Sequence, residues 1–193
     1  MRDGKGVSLM KAQENQRIRL SKKMLKDSLI KLLNEKCIHK VSVIEICNEA
    51  QINRTTFYKY YGSQYDLLKD MENDVLTHIN DYLSANNAYS DNILQQCIKI
   101  VSFINENIDL CRILFDNNVD PKFPEKIFDL PSIKQLEMEY GENASTYIFN
   151  FVTDGGFGVI KRWISKENRE SPEEIADLFN TTIMKLLPGA GSA

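Results

Sequence analysis

The sequence predicts an all-α fold, and three observations support this prediction. Leucines recur at helical spacing over residues 25–33, so they form one apolar stripe. The pattern SxxE occurs at Ser42 and at Ser171, and it predicts a capping box in which the serine and the glutamate close the first helical turn. No stretch shows the apolar–polar alternation of a half-buried strand.

The N-terminal helices follow one another closely. The leucine stripe predicts a first helix, and a second helix begins at the Ser42 cap. Asn53 is a favourable N-cap for a third, short helix with the sequence RTTFYKYY, which Gly62 ends. Phe57 and Tyr61 are one helical turn apart, so both side chains should point inward and pack on the first two helices.

Helical patterns continue towards the C-terminus. The clearest is SPEEIADLFNTTIMKLL, where Ser171 caps and Pro172 occupies the first helical position, at which a proline loses no hydrogen bond. We predict four parts, which are a flexible arm (1–16), a helical N-terminal domain (17–62), a helical body (63–187) and a flexible tail (188–193).

Composition argues against several classes of protein. No apolar run approaches the roughly 20 residues that span a bilayer, and the N-terminus lacks the apolar core of a signal peptide, so we expect a cytoplasmic protein. The four cysteines form no CxxC pair and should be reduced and mostly buried. We find no catalytic set, phosphate loop or metal-ligand spacing, so we expect no enzyme, metal or cofactor.

Charge is distributed unevenly along the chain. Residues 1–62 hold 13 Lys and Arg against 6 Asp and Glu, a net charge of +7. Residues 63–193 hold 11 against 21, a net charge of −10. This asymmetry favours a polyanion as the partner of the N-terminal part alone, although charge by itself is equally consistent with a solvated surface.

Residues 43–50 and 54–60, joined by AQIN, have the length and spacing of a helix-turn-helix. In that motif the first helix lies across the DNA phosphates and the second enters the major groove. The leading turn RTT offers short polar and cationic side chains to base edges, and Tyr58, Lys59 and Tyr60 offer donors to phosphates. These tyrosines could instead cover the core, but the whole set of residues favours DNA.

The segment KVSVIEICNEAQINRTTFYKYYGSQYDLL resembles the DNA-binding domain of the TetR family of bacterial regulators, and the resemblance covers about residues 20–70. The matching positions are Ser42, Ile46, Ala50, Thr56, Phe57, Tyr58, Tyr61 and Leu67. The resemblance implies base contacts by Arg54, Thr55 and Lys59. It implies phosphate contacts by Ser42, Asn53, Thr56, Tyr58 and Tyr60.

Two positions depart from the pattern of this family. Gln51 stands where the family usually has a glycine with positive φ, which should cost on the order of 1 kcal/mol. Gln64 stands where the family usually has a lysine that binds a phosphate. Gln64 can still donate a hydrogen bond, but the loss of one ionic contact should lower the affinity for DNA and its salt dependence.

The body also carries a resemblance. GxxGxIKRWI followed by SPEEIA is similar to a C-terminal subtype of the family that includes activator-like regulators of dihydroxyacetone kinase operons. In the family the last two long helices pair with their copies, which implies a homodimer and a near-palindromic operator. The implied interface positions are Gly155, Gly156, Val159, Ile175, Phe179 and Ile183. The glycines do not have the GxGxxG spacing of a nucleotide loop.

Family members usually bind a small molecule among the body helices, and binding alters the spacing of the DNA-binding domains. Aromatic residues that are candidates to line such a cavity are Phe103, Phe115, Tyr147, Phe151 and Trp163. Aromatic residues at helical spacing are more often core than pocket, so the alternative is that these five simply fill the core.

We therefore expect a dimeric, ligand-responsive transcription regulator that acts as a repressor on an operator in double-stranded DNA. The same fold could instead act as an activator or co-regulator controlled by a protein partner. The sequence leaves open the operator, the regulated genes, the effector and any DNA contact by the arm. A helical enzyme and an adaptor for acidic proteins are the competing classes, and both predict no specific binding to duplex DNA.

Overall fold

The computed structural model describes residues 3–84, 93–115, 119–134 and 146–186, and within these ranges the chain is helical without a strand, as the sequence predicts. The helices are α1 (Asp3–Glu35), α2 (Val43–Ala50), α3 (Arg54–Tyr58), α4 (Gln64–Ser84), α5 (Ile93–Glu106), α6 (Ile108–Leu114), α7 (Phe123–Phe128), α8 (Thr146–Ser165) and α9 (Pro172–Leu186). A 3-10 turn at Ile38–Lys40 lies between α1 and α2, and residues 131–134 are also helical.

The chain divides into two units, which we call the head unit (Met1–Met71) and the body unit (Glu72–Ala193). The division lies within α4, whereas the sequence predicts a boundary after Gly62. Gly62 ends the turn that follows α3, but the first turns of α4 still bury Leu67 and Met71, which are at most 1% exposed. The predicted tail at 188–193 lies outside the described residues.

The core of the head unit is built from one apolar side of each helix. Leu25 and Leu29 on α1, Ile46 on α2 and Phe57 on α3 are all 0% exposed. Full burial of one such side chain stabilises a fold by about 1.5–3 kcal/mol. Tyr61 is 5% exposed, which confirms the predicted inward direction of the pair formed with Phe57.

A hydrogen-bonded cluster of polar side chains lies at the edge of this core. The Tyr61 hydroxyl donates to Asp70 Oδ2 at 2.7 Å, and Lys26 Nζ lies 2.8 Å from the same oxygen. Burial alone would raise the pKa of Asp70, but the hydrogen bonds from Lys26 and Tyr61 together lower it below its ordinary value. These contacts therefore connect α1, α4 and the turn that follows α3.

Two local expectations are corrected. Residues 3–16, expected as a flexible arm, are helical and extend α1. Residues 9–14 are good helix formers, and a helix already held by buried leucines can extend without a new nucleation step. α3 ends at Tyr58 instead of continuing to Tyr61, because the Lys59 and Tyr60 N–H groups donate three residues back, in a turn.

In the body unit α5 packs against α9, and α8 packs against α6 and α9. Trp163 near the end of α8 is 1% exposed, and its indole N–H donates to the Glu170 carbonyl at 2.9 Å. The predicted capping box of α9 is present, since Ser171 and Glu174 exchange hydrogen bonds of 2.8 and 3.2 Å. Among the described residues no helix is long and apolar enough to cross a membrane.

Glu72 is a buried acid of the body unit and is 4% exposed. Lys126 on α7 lies between two carboxylates, with its Nζ 2.6 Å from Glu72 Oε2 and 2.6 Å from Asp120 Oδ2. Burial raises the pKa of Glu72, although the bond from Lys126 opposes this shift. The ion pair thereby holds α7 against the part of α4 that belongs to the body unit.

Candidate nucleic-acid interface

Ser42 begins α2 through a complete capping box. The Glu45 N–H donates to Ser42 Oγ at 3.2 Å, and the Ser42 N–H donates to Glu45 Oε2 at 2.9 Å. The Ser42 hydroxyl also donates to Glu45 Oε2, at 2.8 Å. Hydrogen bonds from Lys36 and then from Ser42 lower the pKa of Glu45 to about 2. Ser42 is exposed, and its hydroxyl proton is held by Glu45.

The turn between α2 and α3 contains a left-handed residue. Gln51 has φ 53° and ψ 37°, which confirms the backbone geometry expected where the family has glycine. The Ile52 N–H donates to the Cys47 carbonyl at 2.9 Å and closes the end of α2. The Asn53 side chain then caps α3 by accepting from the Thr55 N–H at 2.9 Å. This cap occupies the amide oxygen of Asn53 and leaves its NH2 group for a ligand.

α3 has one buried and one exposed side. Phe57 is fully buried, whereas Arg54, Thr55 and Lys59 are exposed and Tyr58 is 59% exposed. Thr56 and Tyr60 are half-buried. Arg54 and Tyr58 are one helical turn apart, as are Thr55 and Lys59, the residue that follows α3, so each pair lies on the exposed side.

A surface groove of about 470 Å³ lies beside this exposed side of α3. Its lining residues are His39, Lys40, Val41, Ser42, Val43, Ile44, Arg54, Tyr58 and Gln64. The groove therefore brings together four of the predicted contact residues, from the N-cap of α2, from α3 and from α4. The other five predicted residues, Asn53, Thr55, Thr56, Lys59 and Tyr60, are not among the lining residues.

His39 and Lys40 were not predicted as site residues. Both lie in the 3-10 turn Ile38–Lys40, just before the Ser42 cap, and both are exposed. The sequence signal was a pair of basic side chains next to a helix N-terminus. The packing that turns this pair towards the groove could not be read from residue spacing.

Positive charge is left uncompensated on this side of the head unit. Some other lysines of the unit are paired with acids, as Lys31 is with Glu49 at 2.8 Å and Lys36 is with Glu45. In the described ranges neither Arg54 nor Lys59 forms an ion pair with an acidic side chain. A polyanion can therefore approach α3 without displacing acidic partners of these two residues.

The five aromatic candidates for a ligand cavity have different surroundings. Phe103 is 9% exposed and its ring stacks on His78 at 4.8 Å, whereas Phe115 contacts other phenylalanine rings and is 2% exposed. Tyr147 and Phe151 are 85% and 68% exposed. Trp163 is buried and hydrogen-bonded, and no aromatic ring contact joins any two of the five residues in the described part of the body unit.

The six candidates for a dimer interface also differ. Ile175 is 5% exposed within its own chain, so it belongs to the core of the body unit. Gly156 lies where α8 approaches α9, since a Cβ there would be 3.4 Å from Phe179 Cε1. Gly155 is exposed, and a Cβ added to it would meet nothing within 4 Å. The remaining candidates, Val159, Phe179 and Ile183, are half-buried.

The capped α2, the left-handed turn and the exposed α3 define a helix-turn-helix of the kind that binds DNA. Two family models match the chain. A model described as "Bacterial regulatory proteins, tetR family" matches residues 27–71, and one described as "Transcriptional regulator C-terminal region" matches residues 91–185. The chain belongs to the TetR family of transcriptional regulators, which are DNA-binding proteins rather than enzymes.

Several solved structures share this fold. A TetR transcriptional regulator from Streptococcus agalactiae 2603V is 19% identical, with a TM-score of 0.62 over 89% of this chain and 98% of its own. A TetR-family regulator from Syntrophomonas wolfei str. Goettingen is 15% identical, with a TM-score of 0.63 over 88% and 96%. The dihydroxyacetone kinase operon activator DhaS is 19% identical, with a TM-score of 0.56 over 86% and 96%. A search of curated proteins found no match.

Proposed function

We propose that the protein is a homodimeric, cytoplasmic bacterial repressor that binds a near-palindromic operator through α2 and α3. A small molecule bound in the body unit changes its affinity for DNA. The observation that carries the proposal is the exposed, uncompensated basic side of α3 next to a groove lined by hydrogen-bond donors. Family membership supports the same conclusion.

Most of the predicted contact residues have a role on DNA that suits their surroundings. Arg54, Thr55 and Lys59 are exposed and bind base edges in the major groove. The Asn53 NH2 group and the Tyr58 hydroxyl donate to phosphate oxygens. Thr56, Tyr60 and Gln64 are further phosphate contacts, and Ser42 can join them only by giving up the hydroxyl hydrogen bond that it donates to Glu45.

A stripe of exposed residues on α8 supports the homodimer. Tyr147, Phe151, Gly155 and Gly158 follow one another at helical spacing, and both aromatic side chains are mostly exposed. A Cβ added to Gly155 or Gly158 would meet nothing within 4 Å, so a second helix has room for close approach. Leu178 on α9 is 49% exposed and adds apolar surface. A second copy of this chain would cover these side chains.

The likeness in fold to the operon activator DhaS keeps activation, under the control of a protein partner, as the alternative. In vitro transcription from a bound promoter separates the two modes. Repression lowers the amount of transcript as protein is added, and activation raises it.

The DNA-binding proposal is tested by fluorescence anisotropy with the duplex upstream of the protein's own gene, over a salt series. We expect one dimer per near-palindrome, steep weakening with salt, and loss of affinity in Thr55→Ala and Tyr58→Phe. Tyr82→Phe removes a hydroxyl in the body unit and should bind as the wild type does. Weak binding that depends neither on the sequence of the duplex nor on the Thr55→Ala and Tyr58→Phe substitutions would argue against this duplex as the operator. Failure to select any other duplex would contradict the proposal.

A further inference from the structure

The groove of the head unit is lined by three basic residues and by no acidic one. His39 and Lys40 come from the 3-10 turn, and Arg54 comes from the first turn of α3. Tyr58 and Gln64 line the same groove and can donate neutral hydrogen bonds. Cations and neutral donors without a carboxylate form a lining suited to an anion.

α2 adds backbone donors to this lining. The first N–H groups of a helix have no acceptor within the helix. The capping box satisfies the N–H groups of Ser42 and Glu45. Those of Val43 and Ile44 remain, and both residues line the groove. The partial positive charge of the helix N-terminus adds to the attraction for an anion.

Lys40 is placed to supply a charge that Gln64 lacks. Gln64 lines the groove at a position proposed to contact a phosphate, yet its amide is neutral. Lys40 lines the same groove and is exposed, and in the described ranges it forms no ion pair. Lys36, four residues earlier, is by contrast held by Glu45. The Lys40 cation is therefore available to a ligand.

We propose that this groove binds a backbone phosphate of DNA, with Lys40 as its charged ligand and His39 as a further donor. The proposal rests on the proposed DNA binding, and it adds two contact residues from outside the helix-turn-helix. It assigns the charge at this phosphate to Lys40, and Gln64 then contributes only a neutral hydrogen bond.

The test measures anisotropy with a labelled duplex recovered by selection from random sequences, over a salt series. Lys40→Ala should bind about tenfold more weakly, both to this duplex and to an unrelated one. The slope of log K against log salt should fall by about 0.9, as expected for one lost phosphate contact. The control Lys69→Ala removes an exposed lysine of the head unit on α4 and should change affinity far less.

Two further measurements distinguish a direct contact between Lys40 and a phosphate from a general loss of positive charge on the head unit. Gln64→Lys in the Lys40→Ala background returns a cation to the same groove and should restore both the affinity and the salt slope. In a second experiment one DNA phosphate at a time is replaced by a neutral methylphosphonate. At one position in each half-site, wild type and Lys40→Ala should then bind this duplex with equal affinity. Circular dichroism of each variant verifies that the head unit is folded.

The proposal is overturned if Lys40→Ala matches Lys69→Ala in affinity and slope while Thr55→Ala still weakens binding. In that case the helix-turn-helix binds DNA and the proposed function stands without the groove. A scan in which every methylphosphonate weakens wild type and Lys40→Ala by the same factor would overturn it as well. A wild-type protein that selects no duplex would remove the proposed function together with this inference.

Discussion

At the scale of the residue, Gln51 shows how one backbone angle fixes the turn that orients α3. Its φ of 53° lies in the left-handed region, which a residue with a Cβ enters at a cost of about 1 kcal/mol. The flanking hydrogen bond from the Ile52 N–H to the Cys47 carbonyl depends on this conformation. The backbone strain at Gln51 was expected from the sequence, because this position matches a glycine in the pattern of the TetR family.

Gln51→Gly should therefore raise the free energy of unfolding by up to about 1 kcal/mol, since glycine enters the left-handed region without strain. Greater freedom of the unfolded chain will offset part of this gain. The measurement is urea denaturation followed by circular dichroism. Asn48→Gly, in the exposed part of α2, is the matched control and should lower stability instead. Equal effects of both variants would contradict the role assigned to φ at Gln51.

At the scale of the element, α2 depends on the ring of hydrogen bonds around Glu45. The carboxylate accepts from Lys36 and from the N–H and hydroxyl of Ser42, and these bonds lower its pKa from an ordinary 4.5 to about 2. The lowered pKa means that the folded state favours the ionised form. The resulting stability is complete above the ordinary pKa and is lost as the pH falls through about 2.

We expect the free energy of unfolding of the wild type to fall more steeply between about pH 4.5 and about pH 2 than that of Glu45→Gln. The glutamine keeps the shape of the side chain but cannot ionise. The contribution of residue 45 to the pH dependence of stability therefore disappears in this variant. Chemical denaturation of both proteins over this range provides the comparison. Parallel pH profiles would show that Glu45 does not stabilise the folded state in its ionised form.

The sequence was most informative where a hydrogen bond is local. The caps at Ser42, Asn53 and Ser171 were predicted because donor and acceptor are two or three residues apart. The groove containing Lys40 was not predicted, because it depends on the packing of the 3-10 turn against α3 and α4. The burial of Ile175 was missed for a similar reason, since helical spacing cannot tell a core face from an interface.

At the scale of the whole molecule, each unit satisfies a different requirement of the proposed regulator. The head unit carries the uncompensated basic side of α3, and the body unit carries the exposed apolar stripe of α8. Binding to two half-sites at once requires a dimer, because a single head unit covers only one half-site. The stripe on α8 is thus as necessary to the proposal as the basic side of α3.

Phe151→Asp should convert the protein to a monomer, because it places a charge in the proposed interface. Gly158→Leu should do the same by filling the space that a second helix would occupy, while a Cβ at this position meets nothing of its own chain within 4 Å. Sedimentation measures the oligomeric state, and Lys122→Asp at an exposed site of the body unit is the control. A monomeric wild type, or dimeric variants, would contradict the proposed interface.

The central claim is that α2 and α3 bind a specific operator, and selection of bound duplexes from a random pool by the purified protein tests it most directly. We predict enrichment of a near-palindrome whose half-sites are about one helical turn of DNA apart, or a multiple of it. Thr55→Ala should relax the enriched sequence at defined base positions. A pool that stays random after selection with the folded, wild-type dimer would contradict the claim.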